Sequence, residues 1–305
     1  MHADTARHPA RGAAWGVASA LSFSLSSVVG KDLLGSLGAV SLLLWRFSLS
    51  SAALWAALWV WRRRGGPDPR SVPWRPVLAL GLLLGGLVFI GFLALERLDA
   101  SVYIVLVYLY PGFVVLGSAA LGRPLQRLTI VALAVISVGV VLTVPDVFTG
   151  VDGISVAGVL LALGQAVSFA VYLIVNERVV PAGSDGVVMA AWSNLGAAVF
   201  FVPLAAVDGV TVPDRPLLVL EVVLFALIPT VAATTTFFRA LRHLDPGVLA
   251  MIMTLEVALA IVWSALFLGE RITAVEALGA TVVIVGVVLA QRAEPVVEDT
   301  VPTGI

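Results

Sequence analysis

Cysteine is absent from this chain and charged residues are scarce, and both absences limit what the protein can be. With no cysteine among its 305 residues, disulfides, thiol nucleophiles and thiolate metal sites are excluded. The three histidines lack the spacing of a metal site. No Gly-x-x-x-x-Gly-Lys-[Ser/Thr] phosphate loop occurs, which argues against ATP hydrolysis. Charged residues make up 12% of the chain, whereas a soluble domain has about 25%.

Apolar residues account for 60% of the chain, and the mean hydropathy is +1.06. A soluble fold cannot bury this much apolar surface, so the sequence predicts an all-α integral membrane protein. A helix needs about 20 apolar residues to cross about 30 Å of hydrocarbon. Charges, prolines and glycines divide the chain into ten predicted transmembrane helices: 12–30, 39–61, 76–95, 100–121, 127–143, 154–175, 187–207, 217–240, 247–267 and 273–290.

The placement of the basic residues predicts the orientation, because cytoplasmic loops are enriched in Lys and Arg. With the N-terminus in the cytoplasm, 13 of the 18 Lys and Arg residues fall inside, and five fall outside or within the membrane. We therefore expect a multi-pass protein of the cytoplasmic membrane with both termini inside. Residues 1–11 would form a cytoplasmic segment and residues 291–305 a disordered cytoplasmic tail. The alternative, a cleaved signal peptide at the N-terminus, would remove the first predicted helix.

The two halves of the chain, 12–145 and 154–290, resemble each other in sequence. Four short matches occur in the same order, with shifts of 146 or 147 residues: Ser22-Phe23 with Ser168-Phe169, Leu98-Asp99 with Leu244-Asp245, Leu121-Gly122 with Leu268-Gly269, and Val138–Leu142 with Val285–Leu289. Five helices is an odd number, so the second half must enter the membrane from the opposite side. Inverted repeats of this kind are typical of secondary transporters, whose substrate site lies between the halves near the midplane.

The turns between helices agree with the inversion. The turn from Gly122 to Arg127 is basic and predicted to be cytoplasmic, whereas its counterpart from Gly269 to Thr273 is neutral and predicted to be external. Lys31 and Glu177 fall at corresponding helix ends in the two halves. We expect both to be solvated charges at the membrane surface.

Three segments carry a resemblance to a known family. They are LVYLYPGFVVLGSAALGRPL at 106–125, FFRALRHL at 237–244 and TLEVALAIVWSALFLGERI at 254–272. On these segments the chain resembles the EamA-type family of the drug/metabolite transporter superfamily over about residues 12–290. It departs from the family pattern at Val257, where a Pro is common, and at Arg123, where a Glu is usual.

The resemblance implies a ten-helix carrier that moves a small metabolite or an amphipathic drug across the cytoplasmic membrane, with no cofactor. Its partners would be the small-molecule substrate, membrane lipid and protons, and no nucleic acid. The TLE-x-AL portion is also similar to amino-acid exporters of the threonine/homoserine type, which hints at the substrate. The direction suggested is export, by alternating access.

Two ionisable side chains lie deep in predicted helices: Glu256 near the middle of the ninth and Arg46 in the outer third of the second. A carboxylate at mid-membrane costs about 2.5–3.5 kcal/mol, so Glu256 should face a cavity. It could couple transport to protons or bind a substrate ammonium, or it could be a buried carboxyl that donates a hydrogen bond to another helix. Arg46 could bind a substrate carboxylate, or it could snorkel outward or pair with a carboxylate of another helix.

Three tyrosines, Tyr103, Tyr108 and Tyr110, are in the fourth predicted helix. Tyr103 and Tyr110 are seven residues apart, so they should share a face of that helix. Pro111 should free the carbonyl of Val107 and kink the helix there. The tyrosines predict either an aromatic cavity wall beside that carbonyl or ordinary interhelical packing.

Two amides and a further proline are also candidates in the apolar helices. The side chains of Gln165 and Asn194 should either face a polar cavity or form hydrogen bonds that pack helices together. Pro229 should kink the eighth predicted helix, as Pro111 does the fourth.

Two other functional classes compete with a transporter. An intramembrane enzyme would need paired carboxylates or a Ser/His pair within reach, and neither is evident. A passive channel or a lipid scramblase is the stronger alternative, but the sequence lacks the repeated charge rings of a pore. The inverted repeat therefore favours a secondary transporter.

Overall fold

The computed structural model describes residues 8–98, 100–143, 155–181, 183–263, 265–266 and 272–293. Most of the predicted terminal segments, 1–11 and 291–305, lie outside these ranges. So do Asp99, Glu270 and Arg271, and the side chain of Lys31 is not described either. Within the described ranges the chain is helical and has no strand, as predicted.

Thirteen α-helices and a π-helical segment, besides the π-helical residues 265–266, occur in the described residues with the bounds below. They are α1 (Pro9–Leu37), α2 (Ala39–Arg62), α3 (Trp74–Leu95), α4 (Ala100–Val107), α5 (Tyr110–Ala120), α6 (Arg127–Leu142), α7 (Val156–Val179), α8 (Gly186–Asp208), α9 (Pro216–Ala226), the π segment (Leu227–Ala232), α10 (Ala233–Leu241), α11 (Pro246–Met253), α12 (Leu255–Trp263) and α13 (Ala274–Ala293).

Eight helical stretches are long and apolar enough to cross a membrane. They are Ala39–Arg62, Trp74–Leu95, Val102–Ala120, Val156–Val179, Gly186–Asp208, Pro216–Leu241, Pro246–Trp263 and Ala274–Arg292. The shorter helix Arg127–Leu142 is also apolar. The chain is therefore a multi-pass membrane protein, while the count of ten remains a prediction.

Helix α1 is longer than predicted at both ends. It begins at Pro9 and continues to Leu37, although its predicted end is Gly30. Glycine inside a helix costs only about 1 kcal/mol relative to alanine, so it does not end one unaided. The actual end is at Gly38, whose φ of 72° lies in the left-handed region that glycine adopts without a Cβ clash.

The packing between the two halves is symmetric under their exchange. Helix α3 packs on α7, and α10 packs on α1. Likewise α4 and α5 pack on α7, as α11 and α12 pack on α1. Two further pairs, α2 with α8 and α6 with α13, join equivalent helices. The internal repeat seen in the sequence therefore organises the tertiary contacts.

The crossing of α6 and α13 shows the same symmetry at the level of single residues. A Cβ on Gly139 would lie 2.7 Å from the backbone nitrogen of Val283, and one on Gly286 would lie 2.6 Å from Cγ1 of Ile136. Gly286 follows Gly139 by 147 residues, and Val283 follows Ile136 by the same 147. The repeated Val-Gly-Val-Val-Leu motif thus contains the glycine that lets these two helices approach closely.

Candidate functional site

Two helices are interrupted at equivalent positions of the two halves. Helix α4 ends at Val107 before α5 begins at Tyr110, and α11 ends at Met253 before α12 begins at Leu255. Val107 and Met253 are 146 residues apart, which is one of the two shifts of the sequence repeat. Discontinuous helices at the interface of two repeats are where secondary transporters build their substrate sites.

The two interruptions have different local causes. Pro111 has no N–H to donate to the carbonyl of Val107, and α4 ends at that residue, as predicted. The second break has no proline. There the hydroxyl of Thr254 donates to the carbonyl of Met251 at 2.6 Å, and the Thr254 N–H approaches the same carbonyl at 3.2 Å. These bonds to the carbonyl three residues earlier make a tight turn that interrupts the helix, and no sequence pattern predicted it.

Glu256 lies in the first turn of α12, next to the second break. Unpaired backbone N–H groups at the start of a helix favour a negative charge there. The hydroxyl of Tyr108, beside the first break, lies near the Glu256 carboxyl. Part of the Glu256 side chain is accessible. That it faces a cavity stays a prediction.

Tyr103 and Gln165 meet across α4 and α7. The Tyr103 hydroxyl donates to Oε1 of Gln165 at 2.9 Å, and both side chains are partly accessible. The Gln165 amide packs against Gly91 of α3, where a Cβ would lie 2.4 Å from its nitrogen. Tyr103 is also close enough to Glu256 for the two to interact electrostatically. These contacts bring both predicted residues into the neighbourhood of Glu256.

Tyr110 connects α5 to α11 by a hydrogen bond. It is buried, its hydroxyl donates to the carbonyl of Ala250 at 2.9 Å, and its ring lies 4.8 Å from that of Phe169, edge to face. The sequence predicted a shared face for Tyr103 and Tyr110 on one continuous helix. Because the helix is interrupted between them, the seven-residue spacing no longer fixes a shared face. Their hydroxyls have different partners.

Arg46 is buried against the π segment and does not snorkel outward. Only 8% of Arg46 is exposed. Nε donates to the hydroxyl of Thr230 at 2.7 Å, and one terminal nitrogen donates to the carbonyl of Pro229 at 3.1 Å. The guanidinium also lies 4.8 Å from the centre of the Phe225 ring. Part of the fork is therefore occupied by protein.

The π segment supplies the acceptors that hold Arg46. Pro229 cannot donate to the carbonyl of Phe225, and the Thr230 hydroxyl approaches that carbonyl at 3.3 Å. The sequence predicted a kink at Pro229, and the structure has a π-helical turn there. Wider turns of this kind expose carbonyls that a neighbouring helix can use.

Asn194 belongs to the same buried network and is fully buried on α8. Its amide nitrogen donates to the hydroxyl of Thr234 at 3.1 Å. The Thr234 hydroxyl donates to the carbonyl of Thr230 at 2.6 Å. The chain Asn194–Thr234–Thr230–Arg46 connects α8, α10 and α2. Thr230 and Thr234 were not predicted from the sequence, because hydroxyl residues are common in ordinary membrane-helix packing.

Replacing Arg46 with Lys should lower the thermal unfolding midpoint of the purified protein. Lysine keeps the charge but cannot reproduce the two hydrogen bonds to the π segment, and each lost bond costs about 0.6–2 kcal/mol in a membrane protein. Thr230→Val should give a loss of similar size, and the double variant should lose less than the sum. An unchanged midpoint combined with a raised apparent KM would instead identify Arg46 as a ligand of a substrate carboxylate.

Comparison with known proteins identifies the family. The sequence model of the EamA-like transporter family matches residues 10–144 and 156–291, once in each half. The chain belongs to the EamA-like transporter family. This confirms the resemblance drawn from the three sequence segments and places the chain in the drug/metabolite transporter superfamily.

Two relatives show how far the similarity extends. A threonine/homoserine exporter, RhtA, of Salmonella typhimurium strain SL1344 is 30% identical over 270 residues, which are 87% of each chain. The RhtA exporter of Escherichia coli K12 is 29% identical over 256 residues, covering 83% of this chain and 82% of the relative. A crystal structure at 22% identity has the same fold, with a TM-score of 0.79 over 93% of this chain and 99% of the other. Family and relatives point to a metabolite transporter and not to an enzyme.

Proposed function

We propose that this protein is a secondary transporter that exports an amino acid or a related small metabolite across the cytoplasmic membrane by alternating access. The observation that carries the proposal is the pair of helix interruptions at equivalent positions of the two halves. Glu256 and Tyr108 lie beside the two breaks and near each other, and we infer that the substrate cavity is there. The similarity to threonine/homoserine exporters over more than four fifths of the chain supports an amino-acid substrate.

The proposed topology has ten transmembrane helices in two inverted halves with both termini in the cytoplasm. Helix α1 has 29 residues and α6 has 16, so at 1.5 Å per residue they measure about 43 Å and about 24 Å. Helix α1 is long enough to cross the membrane by itself. Helix α6 is short, and its close packing along α13 supports counting it as a membrane helix. The excess of basic residues on the inner side supports the orientation.

The cavity is proposed to open toward the outside in this conformation. Helices α5 and α11 pack against each other on one side of the two breaks. On the other side, α4 and α12 make at most marginal contact within the described residues. The closed end carries the basic turn at Arg123, for which the arginine distribution predicts a cytoplasmic location. An opening away from that turn is where an exporter would release its substrate.

Glu256 is proposed to bind a proton and a substrate ammonium in alternation. A charged carboxylate in the membrane is costly, and either occupant neutralises it. Because one carboxylate cannot hold both, outward release of the substrate and inward movement of the proton become linked. Gln165 offers the other polar contact, since its amide nitrogen has no hydrogen-bond partner in the part of the chain that is described. Its N–H groups could donate to an oxygen of the substrate.

Transport by purified protein in proteoliposomes tests this function. We expect saturable flux of threonine, homoserine or a related amino acid that increases when a proton gradient is imposed. A cationic dye serves as the probe for the drug-efflux alternative. Absence of saturable flux for every compound would overturn the proposal. Flux that is unsaturable and proportional to concentration would favour a passive channel.

A further inference from the structure

Three charged side chains meet at one end of the helix bundle. The guanidinium of Arg123 lies 2.5 Å from Oε1 of Glu177 through one terminal nitrogen, and its other terminal nitrogen is in contact with Oδ1 of Asp245. The Glu177 side chain is only 13% exposed. The expectation that Glu177 is a solvated surface charge was therefore wrong, because Arg123 reaches across from another turn and covers it.

The three residues come from both halves of the transporter. Arg123 is in the turn between α5 and α6 of the first half. Glu177 is in the last turn of α7, and Asp245 immediately precedes α11, both in the second half. Arg178 adds a weaker link across the same boundary, to the carbonyl of Leu121 at 3.5 Å. The ion cluster therefore connects the halves at the end where α5 packs on α11.

The electrostatics of the cluster favour this arrangement. Burial by itself would lower the pKa of Arg123, but hydrogen bonds and charge from Glu177 and Asp245 outweigh it and raise that pKa. Glu177 also lies at the carboxyl end of α7, where the helix dipole disfavours a negative charge. A cation held between the two carboxylates compensates for both unfavourable effects.

Below the cluster the two halves are tightly packed. Val115 of α5 is buried, and a Cβ on Gly247 of α11 would lie 3.3 Å from one of its methyl groups. A solute moving between the cavity and this end would have to separate α5 from α11. That separation would also pull Arg123 away from Asp245, since these residues adjoin the same two helices.

We propose that Arg123, Glu177 and Asp245 form an ionic gate that keeps this end of the transporter closed and opens when the cavity turns toward that side. The inference rests on the proposed alternating access, to which it adds the gate residues. Their counterparts in the sequence repeat, Glu270, Lys31 and Asp99, lie outside the described side chains. The gate is therefore proposed for one end alone.

Thiol labelling can test the gate because the chain has no cysteine of its own. In membrane vesicles of known orientation, Val115→Cys would report opening, because Val115 is 5% exposed behind the cluster. Leu121→Cys, at a position 48% exposed beside the cluster, would show that a membrane-impermeant reagent reaches that side. The measured quantity is the labelling rate of each cysteine.

Removing the central charge should open the gate. Arg123→Gln is expected to raise the labelling rate of the Val115 cysteine several-fold, up to about tenfold, as expected for the loss of a small ion network. Glu177→Gln should act in the same direction, and Arg123→Lys, which keeps the charge but not the two separate terminal nitrogens, should give a smaller rise than Arg123→Gln. Arg127→Gln removes an arginine from the same turn that makes no hydrogen bond or ion pair within the described chain. This matched control should change nothing.

Several outcomes would decide against the gate. Equal labelling in Arg123→Gln and Arg127→Gln would overturn it, as would an equal rise in Arg123→Lys. If Arg123→Gln fails to fold, Glu177→Gln replaces it, because it removes one of the two ion pairs and should still raise the labelling rate of the Val115 cysteine. No rise in a folded Glu177→Gln variant would also count against the gate.

Failure of the gate can be separated from failure of the transport function. Flux in proteoliposomes with unchanged labelling would refute the gate and leave the transporter assignment intact. Faster labelling without flux of any tested compound would support the gate and contradict the proposed function. The two measurements therefore answer different questions.

Discussion

Replacing Glu256 with Gln should abolish transport driven by a proton gradient while leaving expression and fold intact. Glutamine keeps the size and polarity of the side chain, but it cannot exchange a proton. It also loses the ionic contact to a substrate ammonium, which is worth about 1.5–3 kcal/mol. We expect the apparent affinity for substrate to fall by about 10- to 150-fold. Initial flux into proteoliposomes with and without a pH gradient measures both effects.

The best matched control for this change is Glu221→Gln. Glu221 is also a carboxylate on an apolar helix, α9, and it has no hydrogen bond or ion pair within the described residues. Its replacement should leave the flux and its response to the gradient unchanged. Full gradient-driven activity in Glu256→Gln would rule out a coupling role and leave Glu256 as a buried carboxyl that packs two helices.

Alanine at Gly81 or Gly196 should strongly destabilise the protein, because two helix backbones touch at these glycines. At the crossing of α3 and α8, a Cβ on Gly81 would lie 2.3 Å from the carbonyl oxygen of Ser193. A Cβ on Gly196 would lie 2.3 Å from the carbonyl oxygen of Leu78. Both obstacles are backbone atoms, which cannot rotate away as a side chain can. The helices must move apart, at a cost of about 1–3 kcal/mol.

The thermal unfolding midpoint in detergent measures this loss, with Gly86→Ala as its control on the same helix. There the nearest atom to a new Cβ is a ring carbon of Phe200 at 3.5 Å, an ordinary contact. We expect Gly86→Ala to be close to neutral. Similar midpoints for Gly81→Ala and Gly86→Ala would show that the crossing of α3 and α8 can relax.

Much of the fold could be predicted because membrane helices follow simple rules. Long apolar stretches identified helices with ends within a few residues at α2 and α3. The break at Val107 was predictable because proline always removes one specific N–H. The repeated motif around Gly139 and Gly286 was visible because both copies contain the glycine that their crossing requires. The break at Thr254 had no such signal, since threonine tightens a helix only where its hydroxyl turns back on the chain.

The candidate site was predictable in its residue types and less so in their partners. A carboxylate and an arginine are conspicuous in apolar helices, so Glu256 and Arg46 could be found by inspection. The acceptor that holds Arg46 is Thr230, 184 residues away, and no local pattern connects them. The same applies to Tyr103 and Gln165, which are 62 residues apart.

The membrane environment, the helical class, the repeat and the family could all be read from the amino-acid sequence. Each of these depends on local composition or on similarity along the chain. The grouping of the polar side chains required the folded molecule. Folding assigns Arg46 and Asn194 to a buried network with the π segment, and it joins Arg123 to Glu177 and Asp245.

The residues of the proposed cavity show the same division. Tyr103, Tyr108, Gln165 and Glu256 come from three predicted helices, and the fold brings them into one neighbourhood. Their positions along the chain do not contain this information, because helix packing sets which side chains meet across the interface between the halves.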